Sequence, residues 1–181
     1  MCELDPLLQG ELDEYCGQYA LINAIRWLRS ETGDEELRAL FAESLARVSE
    51  FRRGKRSARV TYGLSGEELE ALMNMFLSEY NIGFRALVDD TNVPAWTIFN
   101  YWRAISNFFE RAGARGVVIV RLRGMSNHWT VVSSINNEVM TLFDSRYLEE
   151  VERSECCISE EDRDHYYQLS VYETYLIYLR D

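Results

Sequence analysis

The chain has 181 residues, of which 47% are hydrophobic and 13% aromatic. A compact domain of this size buries roughly 70% of its unfolded surface, so we expect one domain spanning residues 1–181 without metal or disulfide staples. Nineteen basic and thirty acidic residues leave a net charge of −11. Such a charge repels phosphate backbones and anionic lipids, which argues against nucleic acid and membranes as partners and favours neutral or basic peptides.

The N-terminal sequence is acidic and contains no apolar run of signal-peptide length, and no later segment is apolar enough for a membrane helix. The four cysteines, at positions 2, 16, 156 and 157, do not form the dense pattern of small secreted proteins. We therefore expect reduced thiols and synthesis in the cytoplasm, with export as an effector without a classical signal peptide as the alternative.

Four segments of the first part of the chain have helical spacing of apolar residues. The run CGQYALINAIRWL (16–28) predicts a helix buried on more than one face, and Asp13 and Glu14 just before it suit a helix start. A third helix is marked by the capping box of Ser65 and Glu68. The second and fourth predicted helices span 35–48 and 96–111.

A basic run, FRRGKRSARVTYG, separates the second and third predicted helices. Its centre is a predicted loop that begins at Arg52 and ends at Arg59. Such a charge run is typical of a solvated surface loop, and it is also suited to docking an acidic partner. Both interpretations stay open at the level of sequence.

The later part of the chain has the composition of strands. GFRALV (83–88) predicts a strand, and the main β-rich runs are VVIVRLR, HWTVVSSI, EVMTLF and VYETYLIYL. The Asn136-Asn137 pair predicts a tight antiparallel hairpin between the second and third of these. Helices over about 1–112 followed by antiparallel strands over about 113–181 indicate an α+β fold.

Three residues form a candidate catalytic group: Cys16, His128 and Asp144. A thiol at a helix N-terminus is more easily ionised, because unpaired amides and the helix dipole stabilise its negative charge. His128 and Asp144 lie sixteen residues apart, so a hairpin turning near Asn136 returns Asp144 to the side of His128. Asp144 would then accept from one ring nitrogen and direct the other towards Cys16. We expect this role to need only an acceptor oxygen, which asparagine would also supply.

The segments YCGQYALINAI, NHWTVV and LFDSRYL resemble the three active-site blocks of papain-like cysteine peptidases. The nearest resemblance is to the bacterial peptidase domains that trim double-glycine leaders from exported peptides. It implies a papain-like fold, in which a helical lobe over about 1–112 packs on an antiparallel β lobe over about 113–181. It also implies a peptide or protein substrate, and no metal or organic cofactor. It also implies that Cys16 is the nucleophile of an acyl-enzyme mechanism, His128 the general base and then acid, and Asp144 the orienting residue.

The resemblance further implies a glutamine upstream of the cysteine, whose side-chain amide helps hold the oxyanion. Gln9 is the candidate, seven residues before Cys16 and one residue further than the family spacing. The backbone amide of Cys16 is a second oxyanion donor.

Other activities use the same chemistry, and each residue also has a structural interpretation. A deamidase, transglutaminase or amidase of effector or toxin type forms the same acyl-enzyme, and a papain-like fold without turnover would serve as a binding module. Taken singly, Cys16 is a core thiol, His128 a strand histidine and Asp144 a turn residue.

A metal site is not expected from the remaining cysteines. Cys156, Cys157 and His165 do not have the spacing of a tetrahedral zinc site, and no fourth ligand is placed to complete one.

Overall fold

The computed structural model describes residues 4–9, 15–54, 63–88, 95–124, 127–158 and 165–181. Within these ranges the helices are α1 (Cys16–Leu28), α2 (Asp34–Gly54), α3 (Gly66–Phe76) and α4 (Ile98–Ala112). The strands are β1 (Ile82–Ala86), β2 (Gly116–Gly124), β3 (His128–Ile135), β4 (Val139–Leu142), β5 (Glu150–Glu152), β6 (Cys156–Cys157) and β7 (Tyr167–Leu179). The architecture is mixed helix and antiparallel sheet, compatible with the predicted α+β class.

The strands form a single sheet in the order β1-β7-β2-β3-β4-β5. All the pairs along this order are antiparallel, while the two-residue β6 pairs with β7 in parallel. Strand β1, the first in the chain, pairs with β7, the last, so the sheet joins the middle of the chain to its C-terminal segment. The sheet therefore includes strand β1, which precedes residue 112.

Both faces of the sheet are covered by helices. On β2, Val117 and Ile119 belong to a core cluster with α1, α2 and α3, whereas Val118 and Val120 belong to a second cluster with α4. Side chains alternate across a strand, so a strand covered on both faces is apolar at successive positions. This arrangement places α1, which begins at Cys16, against one face of the sheet.

The helix predictions differ from the structure mainly at the ends. Helix α1 has the predicted bounds, and both hydrogen bonds of the predicted capping box at Ser65 and Glu68 are present. Helix α4 begins at Ile98, because the hydroxyl of Thr97 caps it by accepting from Asn100 N. Asp13 and Glu14 lie outside the described residues. None of the described helices combines the length and the apolar character needed to cross a bilayer.

The expectation that Arg52 begins a loop is wrong. Helix α2 continues through Arg52 and Arg53 to Gly54, and residues 55–62 lie outside the described residues. The Arg52 guanidinium binds both carboxylate oxygens of Glu68, at 2.8 and 3.0 Å, and donates to the carbonyl of Gly63 at 2.6 Å. Arg52 is therefore held by its own chain, and this ion pair extends α2 beyond its predicted end.

Candidate active site

Cys16 is the first residue of α1, and its side chain is buried. The first turn of α1 contains no acidic residue, and Tyr15 at the N-cap position makes no side-chain capping bond. The amides of a first helical turn have no intrahelical partner, so they favour negative charge at the thiol. The helix start therefore presents Cys16 in a setting that stabilises a thiolate.

Gly17 allows the start of α1 to pack closely against Leu64, in the segment just before α3. A Cβ atom on Gly17 would lie 2.8 Å from Leu64 Cδ1, which leaves no room for a side chain. The carbonyl of Leu64 accepts a hydrogen bond from the buried indole of Trp129 at 3.0 Å. Because Trp129 follows His128 on β3, this packing brings the helix start and the His128 strand together.

The hairpin of β3 and β4 brings His128 and Asp144 into contact. Asn136 closes the turn, since its backbone N–H donates to Val139 O at 2.9 Å and its side-chain oxygen accepts from Val139 N at 2.8 Å. His128 Nε2 and Asp144 Oδ1 then lie 2.6 Å apart, and both side chains are buried. The structure thus places these two residues side by side, as hairpin geometry predicts.

Both carboxylate oxygens of Asp144 accept hydrogen bonds. Oδ1 accepts from His128, while Oδ2 accepts from the backbone N–H of Arg146 at 2.6 Å and more weakly from that of Leu148 at 3.4 Å. Tyr147, between these two amides, has a left-handed φ of 62°. The loop is therefore folded around the carboxylate, and Asp144 needs two acceptor oxygens rather than one.

The ring of His128 is oriented with Nδ1 available to Cys16. Nε2 is occupied by Asp144, and Nδ1 is buried without a hydrogen bond of regular geometry in the described part of the chain. The Cys16 thiol interacts with the ring and with the backbone N–H of Trp129. The three predicted residues Cys16, His128 and Asp144 are thus brought together at one end of the hairpin.

The electrostatics of this group favour a thiolate and an imidazolium. Burial raises the pKa of Cys16, but the interaction with His128 and the Trp129 amide outweighs burial and lowers the pKa below its ordinary value. Burial lowers the pKa of His128, but the hydrogen bond to Asp144 and the interaction with Cys16 raise it to about 9. Proton transfer from Cys16 to His128 is therefore favoured at neutral pH.

Asp144 remains ionised beside this pair. Burial raises its pKa, but the hydrogen bond to His128 and the Arg146 amide lower it below the ordinary value. A carboxylate hydrogen-bonded to an imidazole stabilises the positive charge on the ring.

Gln9 is held close to Asp144 by its backbone. Its N–H donates to the carbonyl of Ser145 at 2.8 Å. Two residues earlier, Leu7 is bound by the buried side chain of Asn23 in α1, through Leu7 N to Asn23 Oδ1 at 2.8 Å and Asn23 Nδ2 to Leu7 O at 3.1 Å. Segment 4–9 therefore runs between α1 and the loop after Asp144. The structure brings Gln9 beside the group despite the extra residue in its spacing.

Sequence reasoning did not identify Asn23 or Arg146 as part of this region. Asn23 had a visible signal, because it is a polar residue within the apolar run of a buried helix, where an amide needs a hydrogen-bond partner. Arg146 had no such signal, since its proximity to the thiol depends on how the loop after Asp144 folds.

The remaining described cysteines lie away from this group. Cys156 and Cys157 are buried thiols that form no disulfide, and the thiol of Cys156 donates to Glu152 O at 3.3 Å. The described residues contain no cluster of three or more side chains suited to holding a metal ion.

Comparison of the chain with protein-family models, with curated proteins and with solved structures found no match.

We predict that Cys16 is the most rapidly alkylated thiol among the described cysteines. Its reaction with iodoacetamide should rise through an apparent pKa below that of a free thiol, because the thiolate is stabilised by His128. Cys156 is the internal control, since burial raises its pKa to about 12. Intact-mass and peptide mapping of the two sites against pH measure the effect, and an inflection at Cys16 near the free-thiol value of about 8.5 would contradict it.

The two acceptor oxygens of Asp144 change what we expect of asparagine at this position. In Asp144→Asn the amide nitrogen must face either the His128 ring or the Arg146 N–H. Either the ring then has no acceptor for its Nε2 proton, or the bond from the Arg146 N–H is lost. The pKa of His128 should fall from about 9 towards its ordinary value, and unfolding should become easier by about 1–3 kcal/mol.

Histidine resonances followed by NMR titration and denaturant unfolding measure the two effects of Asp144→Asn. Asp34→Asn is the matched control, because it removes the same charge from an exposed carboxylate paired with Arg26. An unchanged His128 titration in Asp144→Asn would show that the carboxylate does not control the ring.

Proposed function

We propose that this chain is a papain-like thiol hydrolase that cleaves an amide or isopeptide bond of a peptide or protein. The observation that carries the proposal is the buried His128–Asp144 hydrogen bond of 2.6 Å, next to a thiol of lowered pKa at a helix N-terminus. A nucleophile, a base within reach and a residue that orients the base are the parts that covalent catalysis requires.

The first half-reaction forms an acyl-enzyme. The Cys16 thiolate attacks the carbonyl carbon, and a C–S bond forms as the carbonyl oxygen becomes an oxyanion. His128 then gives its Nδ1 proton to the leaving nitrogen, the C–N bond breaks, and an amine departs. The proton moves at Nδ1 because Nε2 remains bonded to Asp144.

The second half-reaction releases the acyl group. Neutral His128 takes a proton from water at Nδ1, and the hydroxide attacks the thioester carbonyl. The C–S bond breaks, the product leaves as a carboxylic acid, and the thiolate and imidazolium are restored. Asp144 stays ionised throughout and stabilises the imidazolium.

The oxyanion of both half-reactions needs donors that are already in place. The backbone N–H of Cys16 is one donor, since amides of a first helical turn lack intrahelical partners. Gln9 is proposed as the second, through its side-chain amide. Its backbone bond to Ser145 and the clamp of Leu7 by Asn23 support this assignment, because they keep segment 4–9 beside the group.

A mixture of peptidyl vinyl sulfones tests the proposal directly. Attack by the thiolate must be followed by protonation of the carbon next to the sulfone, so the reaction requires the thiolate and the imidazolium together. We expect an adduct at Cys16 that is absent in Cys16→Ala and strongly reduced in His128→Ala. Cys156→Ala is the matched control and should react normally. Labelling by iodoacetamide without any peptidyl adduct would contradict a hydrolase and favour a binding module.

The pH dependence of this labelling distinguishes the ion pair from a simple thiol. Labelling should rise with pH as Cys16 ionises, below the ordinary thiol range, and fall again near pH 9 as His128 loses its proton. Iodoacetamide needs only the thiolate, so its rate should rise without the alkaline fall. Identical profiles for the two reagents would count against His128 as the acid.

The role of Gln9 is tested by substitution. Gln9→Ala should lower kcat on a cleaved peptide by roughly 10²-fold, the cost of removing one oxyanion donor. The melting temperature should change little, because the bonds that hold this segment use the backbone of Leu7 and Gln9. Leu8→Ala, at an exposed neighbour, is the control and should keep kcat. Full activity in Gln9→Ala would remove Gln9 from the site.

A further inference from the structure

Arg146 is an exposed cation on the loop that surrounds the Asp144 carboxylate. Other arginines near the sheet are held in ion pairs, such as Arg121 with Glu173 at 2.8 Å and Arg123 with Glu173 at 2.7 Å. Within the described part of the chain, the guanidinium of Arg146 makes no ion pair and no side-chain hydrogen bond. Its charge is therefore available to a ligand.

The main chain of Arg146 is fixed relative to the catalytic pair. Its N–H donates to Asp144 Oδ2 at 2.6 Å, while Asp144 Oδ1 binds His128. The preceding residue, Ser145, is buried and its carbonyl binds Gln9 N. The following residue, Tyr147, has a left-handed φ of 62°. The backbone of Arg146 is thus held by the same carboxylate that binds the His128 ring.

The charge of Arg146 interacts electrostatically with the thiol of Cys16. Burial raises the pKa of that thiol, His128 and the Trp129 amide lower it, and the charge of Arg146 adds a smaller lowering. Asp144 binds the His128 ring through Oδ1 and the Arg146 N–H through Oδ2, so Arg146 is held next to the catalytic pair. Its guanidinium can therefore act on an anionic group of a substrate bound at Cys16.

The net charge of the chain is −11, which is opposite in sign to the charge of Arg146. The distance of a substrate from these charges decides which of them has the larger effect on it. Surface charges further away than the Debye length of about 8–10 Å are largely screened at physiological salt. The acidic surface therefore governs the long-range approach of a substrate, whereas the nearest charges govern contact at the sulfur. The preference for neutral or basic peptides that follows from net charge need not hold next to the scissile bond.

We propose that Arg146 makes the entrance to the Cys16 site selective for substrates that carry a carboxylate next to the scissile amide. The inference rests on the proposed function, since it assigns the substrate of that site. The carboxylate has two sources, an Asp or Glu side chain or a free peptide C-terminus. Arg146 is a specificity-determining residue in this assignment and takes no part in the transfer of protons.

Two small alkylating reagents test the charge preference without knowledge of the substrate. Iodoacetate is an anion and iodoacetamide its neutral analogue, and both react with the same thiolate. The ratio of their rates at Cys16 cancels any change in the pKa of the thiol. In Arg146→Gln we expect the iodoacetate rate to fall relative to iodoacetamide by about three- to ten-fold, because the attraction between the guanidinium and the carboxylate of the reagent is lost. Arg146→Lys should keep most of the ratio.

Arg111→Gln is the matched control for net charge. Arg111 is exposed in the last turn of α4, which packs on the face of the sheet opposite α1. Removal of its charge changes the total by the same amount and should leave the ratio unchanged. An equal ratio in Arg146→Gln and Arg111→Gln would overturn the proposal. A fall in both reagents alike in Arg146→Gln would also overturn it, since it would mean that Arg146 only stabilises the thiolate.

Quenched fluorescent peptides then identify the source of the carboxylate. One set is amidated at the C-terminus and varies in Asp and Glu content, and the other is neutral with a free C-terminus. Cleavage enriched for acidic residues in the first set assigns a side chain, and cleavage near the end of the second assigns the terminal carboxylate. If amidated neutral peptides are cleaved as fast as peptides that carry a carboxylate, the substrate assignment is wrong. Absence of cleavage in both sets together with no vinyl sulfone adduct would reject the proposed function, whereas the alkylation ratio would still decide the charge preference.

Discussion

The hydrogen bond between His128 Nε2 and Asp144 Oδ1 is the interaction on which the rest of the site depends. It fixes which nitrogen of the ring is directed to Cys16, and it keeps a positive imidazole stable although the ring is buried. The same carboxylate holds the following loop through the N–H of Arg146. One buried side chain therefore determines the orientation of the base and the path of the chain that carries Arg146.

The scaffold brings a helix start to the end of a hairpin, and small residues and backbone bonds make this possible. Gly17 gives the space that Leu64 occupies, and Trp129 binds the carbonyl of Leu64 from the strand of His128. On the other side, Asn23 binds both backbone polar groups of Leu7. Because these contacts are buried and directional, a shift of either element would leave polar groups without partners, which costs about 1–3 kcal/mol for each group. Positions in the site are thus held by the same interactions that stabilise the fold.

The charges near Cys16 differ in sign from the charge of the whole chain. The chain carries −11, yet the thiol lies beside the start of a helix without acidic residues in its first turn, a histidine of raised pKa, and Arg146. Desolvation alone would keep the thiol neutral. A locally positive environment that is stronger than the burial penalty is what makes a thiolate stable here, and it would equally stabilise the oxyanion that forms during acyl transfer.

Features that depend on residues close together in the chain could be predicted from the amino-acid sequence. The bounds of α1, the capping box of Ser65 and Glu68, and the hairpin that pairs His128 with Asp144 all follow from short-range spacing and turn chemistry. Contacts between groups far apart in the chain became visible only in the folded structure. The extension of α2 depends on an ion pair with α3, the pairing of β1 with β7 closes the sheet, and Gln9 reaches Ser145 because Asn23 holds Leu7. These contacts depend on the packed shape of the whole chain, which apolar periodicity and local motifs do not encode.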